Sequence, residues 1–169
     1  MYTVMIEEAV DAIKQGQPKA EGYDENKIKL ILSLEANLPD SYITSMNQRL
    51  DAYKSISSCQ TEDELWDIRS ALEDRYGRLP TAAVSLFHSI RIKIQASKLL
   101  ISQINQKREV LEITFSEAFQ PDPVKISGFL SQSDYQPRLL PENRIRVILP
   151  KASAEEIIRF LLTFKKEVF

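Results

Sequence analysis

The sequence is poor in the residues that build most catalytic and metal sites: its 169 residues include one cysteine, one histidine and four glycines. The single Cys59 excludes an internal disulfide and a cysteine zinc cluster, and it fits a reducing, cytoplasmic setting. None of the glycines falls in a G-x-G-x-x-G or G-x-x-x-x-G-K-[ST] spacing, which excludes phosphate-binding loops of those kinds. Apolar runs are far shorter than the roughly 20 residues of a membrane span, and no charged-then-apolar signal segment opens the chain. We therefore expect neither membrane contact nor export.

What remains is the composition of an ordinary globular domain, with 27% charged and 43% hydrophobic residues. The charge is unevenly divided. Residues 1–80 carry 15 acidic and 9 basic residues, whereas residues 81–169 carry 9 acidic and 13 basic residues. This asymmetry is either an accident of surface composition or a sign of patches that dock on partners. It is weaker than the footprint of a nucleic-acid-binding protein.

Hydrophobic periodicity predicts an α+β domain, a small sheet packed with several helices and preceded by a separate N-terminal helix. Residues 1–15 are the predicted N-terminal helix, residues 16–26 a polar linker, and residues 27–169 the domain. Within the domain the pattern predicts strands at 28–34, 110–115 and 144–149, and helices at about 43–57, 61–76, 79 to 100 or 104, 123–130 and 153–168.

Capping boxes mark two of the predicted helix starts, Thr61 with Glu64 and Ser153 with Glu156, and Gly77 marks a helix end. Apolar spacing then predicts which helix faces are buried. One predicted core contains Leu50, Tyr53, Leu65, Ile68, Leu72 and Tyr76, with Ile43, Met46 and either Ile56 or Ser57 on the same face as Leu50. The apolar stripe of the last helix contains Ile157, Ile158, Leu161, Leu162 and Val168.

The candidate metal ligand and the candidate nucleophile each lack the neighbouring residues that such a site needs. His88 lies in a predicted helix with no carboxylate or thiolate three or four residues away, which favours a surface or boundary position over a zinc site. Cys59 lies in a polar hinge with no neighbouring histidine, which favours a loop thiol over a nucleophile. No catalytic, cofactor or metal site is predicted in this chain, which indicates a binding or regulatory module rather than an enzyme.

The acidic residues of the predicted helix 61–76 form two groups. Glu62 to Glu64 lie at its N-terminus, where the helix dipole favours negative charge. Glu73 and Asp74 lie at its C-terminus, where the dipole opposes them, with Arg75 as a local counter-charge. Two alternatives follow for this end of the helix, a solvated terminus or a docking patch for a basic partner.

Trp66 borders the apolar stripe of the same helix, as either a core-edge aromatic or an exposed anchor in a protein interface. The basic residues of the next segment are spaced around their helix without interleaved aromatics, which favours ordinary solvation over nucleic-acid recognition. They are Arg91, Lys93, Lys98, Lys107 and Arg108.

Five short segments carry a family signature. They are Tyr2 with Glu7-Glu8-Ala9-Val10; Asn37-Leu38-Pro39-Asp40-Ser41-Tyr42-Ile43; Asn47-Gln48-Arg49-Leu50 with Tyr53-Lys54; Thr61 to Leu65; and Leu72-Glu73-Asp74-Arg75-Tyr76-Gly77-Arg78-Leu79-Pro80. Over residues 1–15 and 34–100 the chain resembles the C-terminal domain of bacterial transcription-repair coupling factors.

The resemblance implies functions that the composition of the chain alone does not indicate. The full-length members are ATP-dependent duplex-DNA translocases that displace stalled RNA polymerase from damaged DNA and recruit the excision-repair protein UvrA. ATP and magnesium would therefore belong to the parent motor, with no cofactor in this chain, and residues 1–15 would be a helix leaving the translocase module. The domain itself would clamp onto the UvrB-like N-terminal module of the same polypeptide and mask its UvrA-binding surface, which holds the protein autoinhibited.

The implied docking residues are Asp74, Glu73 and Arg75. Asp74 matches a docking acid of the family, whereas the acid one turn earlier is replaced by Ala71. Glu73 can compensate, although its side chain projects about 100° away from that of Asp74. Thr44 replaces a family proline and can still cap a helix. The rival hypothesis is an accessory DNA-binding domain that uses the basic second half to steer the motor on duplex DNA.

Overall fold

The computed structural model describes residues 27–169; the predicted N-terminal helix at 1–15 and the linker at 16–26 lie outside the described residues. Within residues 27–169 the chain forms five strands and five helices, and the predicted α+β class is confirmed. In chain order these are β1 (Lys29–Ile31), α1 (Met46–Ser57), α2 (Glu62–Tyr76), α3 (Thr81–Lys98), β2 (Ile101–Lys107), β3 (Val110–Phe115), α4 (Pro123–Gln132), β4 (Arg138–Leu140), β5 (Arg144–Ile148) and α5 (Ala154–Val168). Over the described range, no helix is both long enough and apolar enough to cross a membrane.

The strands form one mixed sheet in the order β1-β2-β3-β5-β4, with β1 parallel to β2 and the other pairs antiparallel. The register places four buried side chains in one row across the sheet: Leu30, Ile104, Ile113 and Ile145. Side chains alternate along a strand, so the residues between these point to the opposite face. One face is therefore the floor of the core, and the other is polar.

Helices α3 and α5 pack against each other over the apolar face of the sheet. Half of the residues of helix α3 are buried, and some, such as Ile90 and Ile92, are fully enclosed. Phe160 and Phe164 of α5 are also enclosed and join an aromatic cluster with Phe129 of α4. The predicted burial of Ile157, Ile158, Leu161 and Val168 is confirmed, but that of Leu162 is wrong, because this side chain is 42% exposed.

Of the two predicted ends of the third helix, Ile104 is wrong, and Leu100 lies two residues beyond the observed end. Helix α3 ends at Lys98, and the next residues form strand β2 after a turn in which Leu100 has a φ of 58°. Strand β2 was missed because a bulge interrupts its register between Ile101 and Gln103. The extra residue puts Ile101 and Ile104 on the same buried face although they are three residues apart. That spacing is the one a helix produces.

The predicted buried face of α1 is also wrong in part. Met46 and Leu50 are exposed, and the helix instead buries Ala52 and Ile56. Ile43 is buried as predicted but precedes the helix, so a stripe counted from it gives the wrong rotation. The helix is capped by Ser45, whose hydroxyl accepts the N–H of Gln48, and not by Thr44.

Three local predictions need smaller corrections. The predicted strand 28–34 is shortened to Lys29–Ile31, although its alternation is confirmed by the burial of Ile28, Leu30 and Leu32. Edge strand β4 was not predicted. The capping box at Ser153 is half formed: its hydroxyl accepts the N–H of Glu156, but the carboxylate of Glu156 pairs with Arg159.

Candidate docking surface on helix α2

Helix α2 is formed by the local signals that its sequence carries. The N–H of Glu64 donates to the hydroxyl of Thr61 at 3.2 Å, and the carboxylate of Glu64 accepts the N–H of Thr61 at 3.4 Å, so the predicted capping box is confirmed. Gly77 ends the helix with a φ of 88°, a conformation that favours glycine. Between these ends only Leu65 and Leu72 are buried.

The N-terminal end of α2 is tied to α3 by Glu62. Its Oε1 atom accepts hydrogen bonds from Arg91 Nε at 2.7 Å and Gln95 Nε2 at 2.9 Å. Burial by itself would raise the pKa of Glu62, but the hydrogen bonds from Arg91 and Gln95 and the positive charge of Arg91 lower it below its usual value. Glu62 therefore links α2 to α3, in addition to its favourable interaction with the helix dipole.

The C-terminal end of α2 is held by Tyr42, from the segment before α1. Its hydroxyl donates to the carbonyl oxygen of Gly77, which lies beyond the last helical residue, at 2.7 Å, and it also lies 3.2 Å from the carbonyl oxygen of Leu72. Its ring packs edge-to-face on Tyr76, with centroids 5.8 Å apart. Burial, the charge of Glu73 and the neighbouring Tyr76 raise the pKa of Tyr42.

Residues that carry the family resemblance form the contacts that support the C-terminal end of α2. The Tyr53 hydroxyl accepts the N–H of Leu38 at 2.7 Å, and Arg49 donates to the carbonyl of Ile43 at 2.9 Å. These contacts from α1 fix the segment that positions Tyr42. The motif is thus explained by structure: it holds the end of α2, where the predicted docking residues lie, in one position.

The three predicted docking residues have different surroundings. Glu73 is half-buried and pairs with Arg69 one turn earlier, with Nε and Oε1 3.5 Å apart. Arg75 was expected to neutralise the acids, but its guanidinium lies 5.2 Å from the centroid of the Tyr76 ring. Asp74 is exposed, and no ion pair to it is found within residues 27–169. The structure therefore brings the three residues to one helix end and leaves Asp74 as the available carboxylate.

The core-edge alternative for Trp66 is wrong, because its side chain is 65% exposed. The guanidinium of Arg69 lies 5.8 Å from the Trp66 ring centroid and joins this ring to the Arg69–Glu73 pair. Beside Trp66 a groove of about 370 Å³ opens between α2 and α3, with Phe87 and His88 in its lining.

Acidic side chains run along the exposed side of α2 next to Trp66. Asp63, Asp67 and Asp74 are all exposed. At 100° per residue they lie within about 40° of one another around the helix axis. We call these three residues together with Trp66 the acidic α2 face. Sequence reasoning missed this alignment, although the spacing of four and seven residues between the aspartates would have revealed it.

The other candidate residues lack the environment that chemistry needs. Burial, followed by the charge of Glu64, raises the pKa of Cys59 to about 11, so the thiol stays protonated at neutral pH. Burial lowers the pKa of His88, which is a boundary residue of α3 as predicted. Among the described residues no three histidine, cysteine, aspartate or glutamate side chains cluster as metal ligands.

Comparison with known proteins identifies relatives over most of the chain. A family model described as the TRCF domain matches residues 32–126. The transcription-repair-coupling factor of Escherichia coli is 33% identical over 99% of this chain, and that of Myxococcus xanthus is 31% identical over 94%. The chain spans only 15% and 13% of these two relatives. A crystal structure of the C-terminal domain of a transcription-repair coupling factor shares the fold, with a TM-score of 0.71 and 21% identity over 83% of this chain and 91% of that one.

Proposed function

Since this chain belongs to the TRCF domain family of transcription-repair coupling factors, we propose that it serves as the regulatory docking domain of such a protein and not as an enzyme. Its partner is the UvrB-like N-terminal module of the same polypeptide. Docking masks the UvrA-binding surface of that module and holds the protein autoinhibited until the clamp opens.

The observation that carries this proposal is the carboxylate of Asp74. A negative charge at a helix C-terminus is opposed by the helix dipole, so folding alone gives little reason for it. The neighbouring Glu73 is compensated by Arg69, but Asp74 is exposed and has no ion pair within residues 27–169. A basic partner surface supplies the missing counter-charge. Close charge pairs across an interface can couple by a few kcal/mol, which exceeds the value of an exposed surface pair.

Trp66 gives the same surface an apolar anchor. Large aromatic side chains in an interface contribute most of their energy when they enter a pocket on the partner. The acidic α2 face therefore fits a partner surface that carries arginine or lysine side chains around an apolar depression. This is the sharper of the two alternatives for Trp66, and its exposure of 65% supports it.

The remaining activities belong to the parent protein in this proposal. Its motor modules bind ATP and magnesium and translocate on duplex DNA, and they act on stalled RNA polymerase in the cytoplasm. Through the state of the clamp, this domain affects UvrA and RNA polymerase only indirectly.

The test is a double charge reversal, Glu73→Arg with Asp74→Arg, in the full-length protein that carries this domain. We expect UvrA binding and DNA-stimulated ATPase activity both to rise, because the clamp loses two attractive charges and gains two repulsive ones. The matched control is Glu117→Arg with Glu167→Arg, which makes the same change of charge at two exposed acids away from α2. This control should leave both activities at the parental level.

The structure sharpens this test, since Glu73 is already paired. Asp74→Arg alone should produce most of the effect of the double variant, whereas Glu73→Gln alone should produce little. A compensating arginine-to-glutamate change on the UvrB-like module should restore inhibition in the Asp74→Arg background. If the double variant folds normally and leaves UvrA affinity and ATPase unchanged, the end of α2 is a solvated terminus and the proposal is wrong.

A further inference from the structure

The sheet face that points away from the helices is strongly basic. The register places on it the side chains of Lys29, Gln103, Asn105, Lys107, Val110, Glu112, Thr114, Arg138, Leu140, Arg144, Arg146 and Ile148, with Ile31. We call this set the open sheet face. It carries five cationic side chains, drawn from β1, β2, β4 and β5, against one carboxylate, that of Glu112 on β3.

Its single carboxylate organises the arginines near its centre. Glu112 Oε1 accepts hydrogen bonds from Arg146 Nη2 at 2.8 Å and from Arg146 Nε at 3.1 Å, and Arg144 Nη1 lies 3.9 Å from Glu112 Oε2. Arg138 lies directly across from Arg146 on edge strand β4. A guanidinium held by Glu112 loses less side-chain entropy when it binds a further anion.

An open groove of about 320 Å³ runs from the centre of this face towards one end, lined by Asn105, Lys107, Val110, Glu112 and Arg146. Lys107 and Arg146, which line it, are exposed. Four strand-to-strand spacings separate β1 from β4, so the cations extend over about 19 Å.

We propose that the open sheet face binds the phosphate backbone of duplex DNA. This site is separate from the acidic α2 face and goes beyond the regulatory docking proposed above. Arginine and lysine side chains neutralise phosphates, and neutral amides and hydroxyls such as Gln103, Asn105 and Thr114 add the hydrogen bonds typical of backbone contacts.

The composition of the face favours duplex over two other anionic partners. Single strands are held mainly by aromatic side chains on which bases stack, and none of the residues on the open sheet face is aromatic. An interface with an acidic protein would be expected to have an apolar or aromatic centre. Here the centre consists of Asn105, Glu112 and Arg146, and the apolar pair Val110 and Ile148 lies towards one end. Binding without sequence preference is expected, since contacts to the phosphate backbone carry no direct sequence information.

The experiment measures binding of the 169-residue chain to a labelled duplex of about 12 base pairs by fluorescence anisotropy, at about 50 and 200 mM salt. The test variant combines Lys29→Glu, Lys107→Glu and Arg138→Glu, three positions that form none of the observed salt bridges. The matched control combines Lys54→Glu, Lys125→Glu and Lys166→Glu, exposed lysines on α1, α4 and α5. Thermal unfolding of both variants checks that each is folded.

We expect salt-sensitive binding of the parent chain at micromolar concentration. The test variant should lose at least about tenfold in affinity, and its slope of log affinity against log salt should fall by about 3, one for each lost phosphate contact. The control variant should lose less than about threefold, because its charges lie elsewhere.

Three results would overturn the proposal. The parent chain could show no binding to the duplex at the lower salt. The two variants could lose affinity equally, which would assign the effect to net charge and not to this face. Polyglutamate or a single strand of equal length could bind the face more tightly than the duplex does, which would assign it to an acidic protein or to unpaired nucleic acid.

Discussion

The acidic α2 face and the open sheet face differ in what holds them in place. Helix α2 buries only Leu65 and Leu72, and polar contacts fix its two ends. The open sheet face is the reverse side of strands whose other side chains, such as Ile104 and Leu111, are fully buried in the core. The position of the helix thus depends on a few hydrogen bonds, whereas the geometry of the sheet is fixed by apolar packing.

This difference also bears on the uneven charge of the sequence. Before residue 80, Asp63, Asp67 and Asp74 lie on the acidic α2 face, and after it four of the five cations of the open sheet face follow: Lys107, Arg138, Arg144 and Arg146. Each of the two surfaces has its own partner in our proposals. An adjustable helix suits a regulatory contact that must open, and a rigid sheet suits a contact with a uniform polymer such as a phosphate backbone.

The largest expected effect is the loss of unfolding free energy when a buried side chain beneath one of the two surfaces is shortened. Ile113 lies in the row of buried residues on β3, the central strand, and Ile113→Ala should cost about 4 kcal/mol of unfolding free energy. Leu72 of α2 is 9% exposed and lies at the margin of the core, so Leu72→Ala should cost about 2 kcal/mol. Chemical denaturation of both variants gives the two values.

The control for this pair is Leu50→Ala. Leu50 was predicted to share a core with Leu72 but is 48% exposed, and its replacement should change stability by less than about 0.5 kcal/mol. A cost for Leu72→Ala equal to that for Ile113→Ala would remove the distinction between a loosely held helix and a firmly packed sheet. A cost below about half a kcal/mol would place Leu72 outside the core.

Local signals in the sequence were sufficient wherever neighbours along the chain decide the structure. Thr61, Glu64 and Gly77 act within a turn of their own backbone, and the bounds of α2 follow from them. The same reasoning failed at β2, where the bulge imitates the spacing of a helix between Ile101 and Ile104. Edge strand β4 has only three residues, too few to show an alternation.

A second expected effect concerns the C-terminal end of α2. Tyr42→Phe removes the hydroxyl that contacts the carbonyls of Gly77 and Leu72, and it should cost about 1 kcal/mol because the contact with Leu72 is partly buried. Hydrogen exchange should locate the loss in the last turn of α2 and leave β3 unchanged. The control Tyr76→Phe removes an exposed hydrogen bond to Gln48 and should cost less.

The pH dependence of this variant gives an independent check. The pKa of Tyr42 is raised above its ordinary 10.0 in the folded protein, so the stability it contributes is complete below pH 10 and is lost as the pH rises through the folded-state pKa. The difference in unfolding free energy between the parent chain and Tyr42→Phe should therefore become smaller above about pH 10. A difference that is constant or grows in that range would contradict the role given to the Tyr42 hydroxyl.

The candidate site was predicted only where a family motif exists. Asp74 could be chosen from the sequence because it belongs to that motif. The contacts that position it join residues far apart in the chain, Glu62 to Arg91 and Tyr42 to Gly77, so no periodicity could show them. The exposure of Trp66 was undecided for the same reason, since it depends on how α2 packs against α3, whose Phe87 lines the groove beside Trp66.

The smallest expected effect concerns the N-terminal end of α2, where Glu62 is held by Arg91 and Gln95. Glu62→Gln keeps the shape of the side chain and removes its charge, and it should cost about 0.5 kcal/mol at neutral pH because the pair is partly exposed. The pKa of Glu62 is lowered in the folded protein, so its contribution is present above the ordinary value of 4.5 and is lost as the pH falls through the folded-state pKa.

Stability measured by urea denaturation at neutral pH and at about pH 3 should therefore show a difference between the parent chain and Glu62→Gln that shrinks in acid. Asp67→Asn is the control at neutral pH. It also removes one negative charge from α2, but Asp67 is exposed and does not accept the hydrogen bonds from Arg91 and Gln95 that Glu62 accepts. Its cost should be smaller than that of Glu62→Gln. A difference for Glu62→Gln that persists unchanged in acid would mean that its charge does not tie α2 to α3. The N-terminal end of the helix would then depend on its capping box alone, and the contrast with the sheet would rest only on the Tyr42 end.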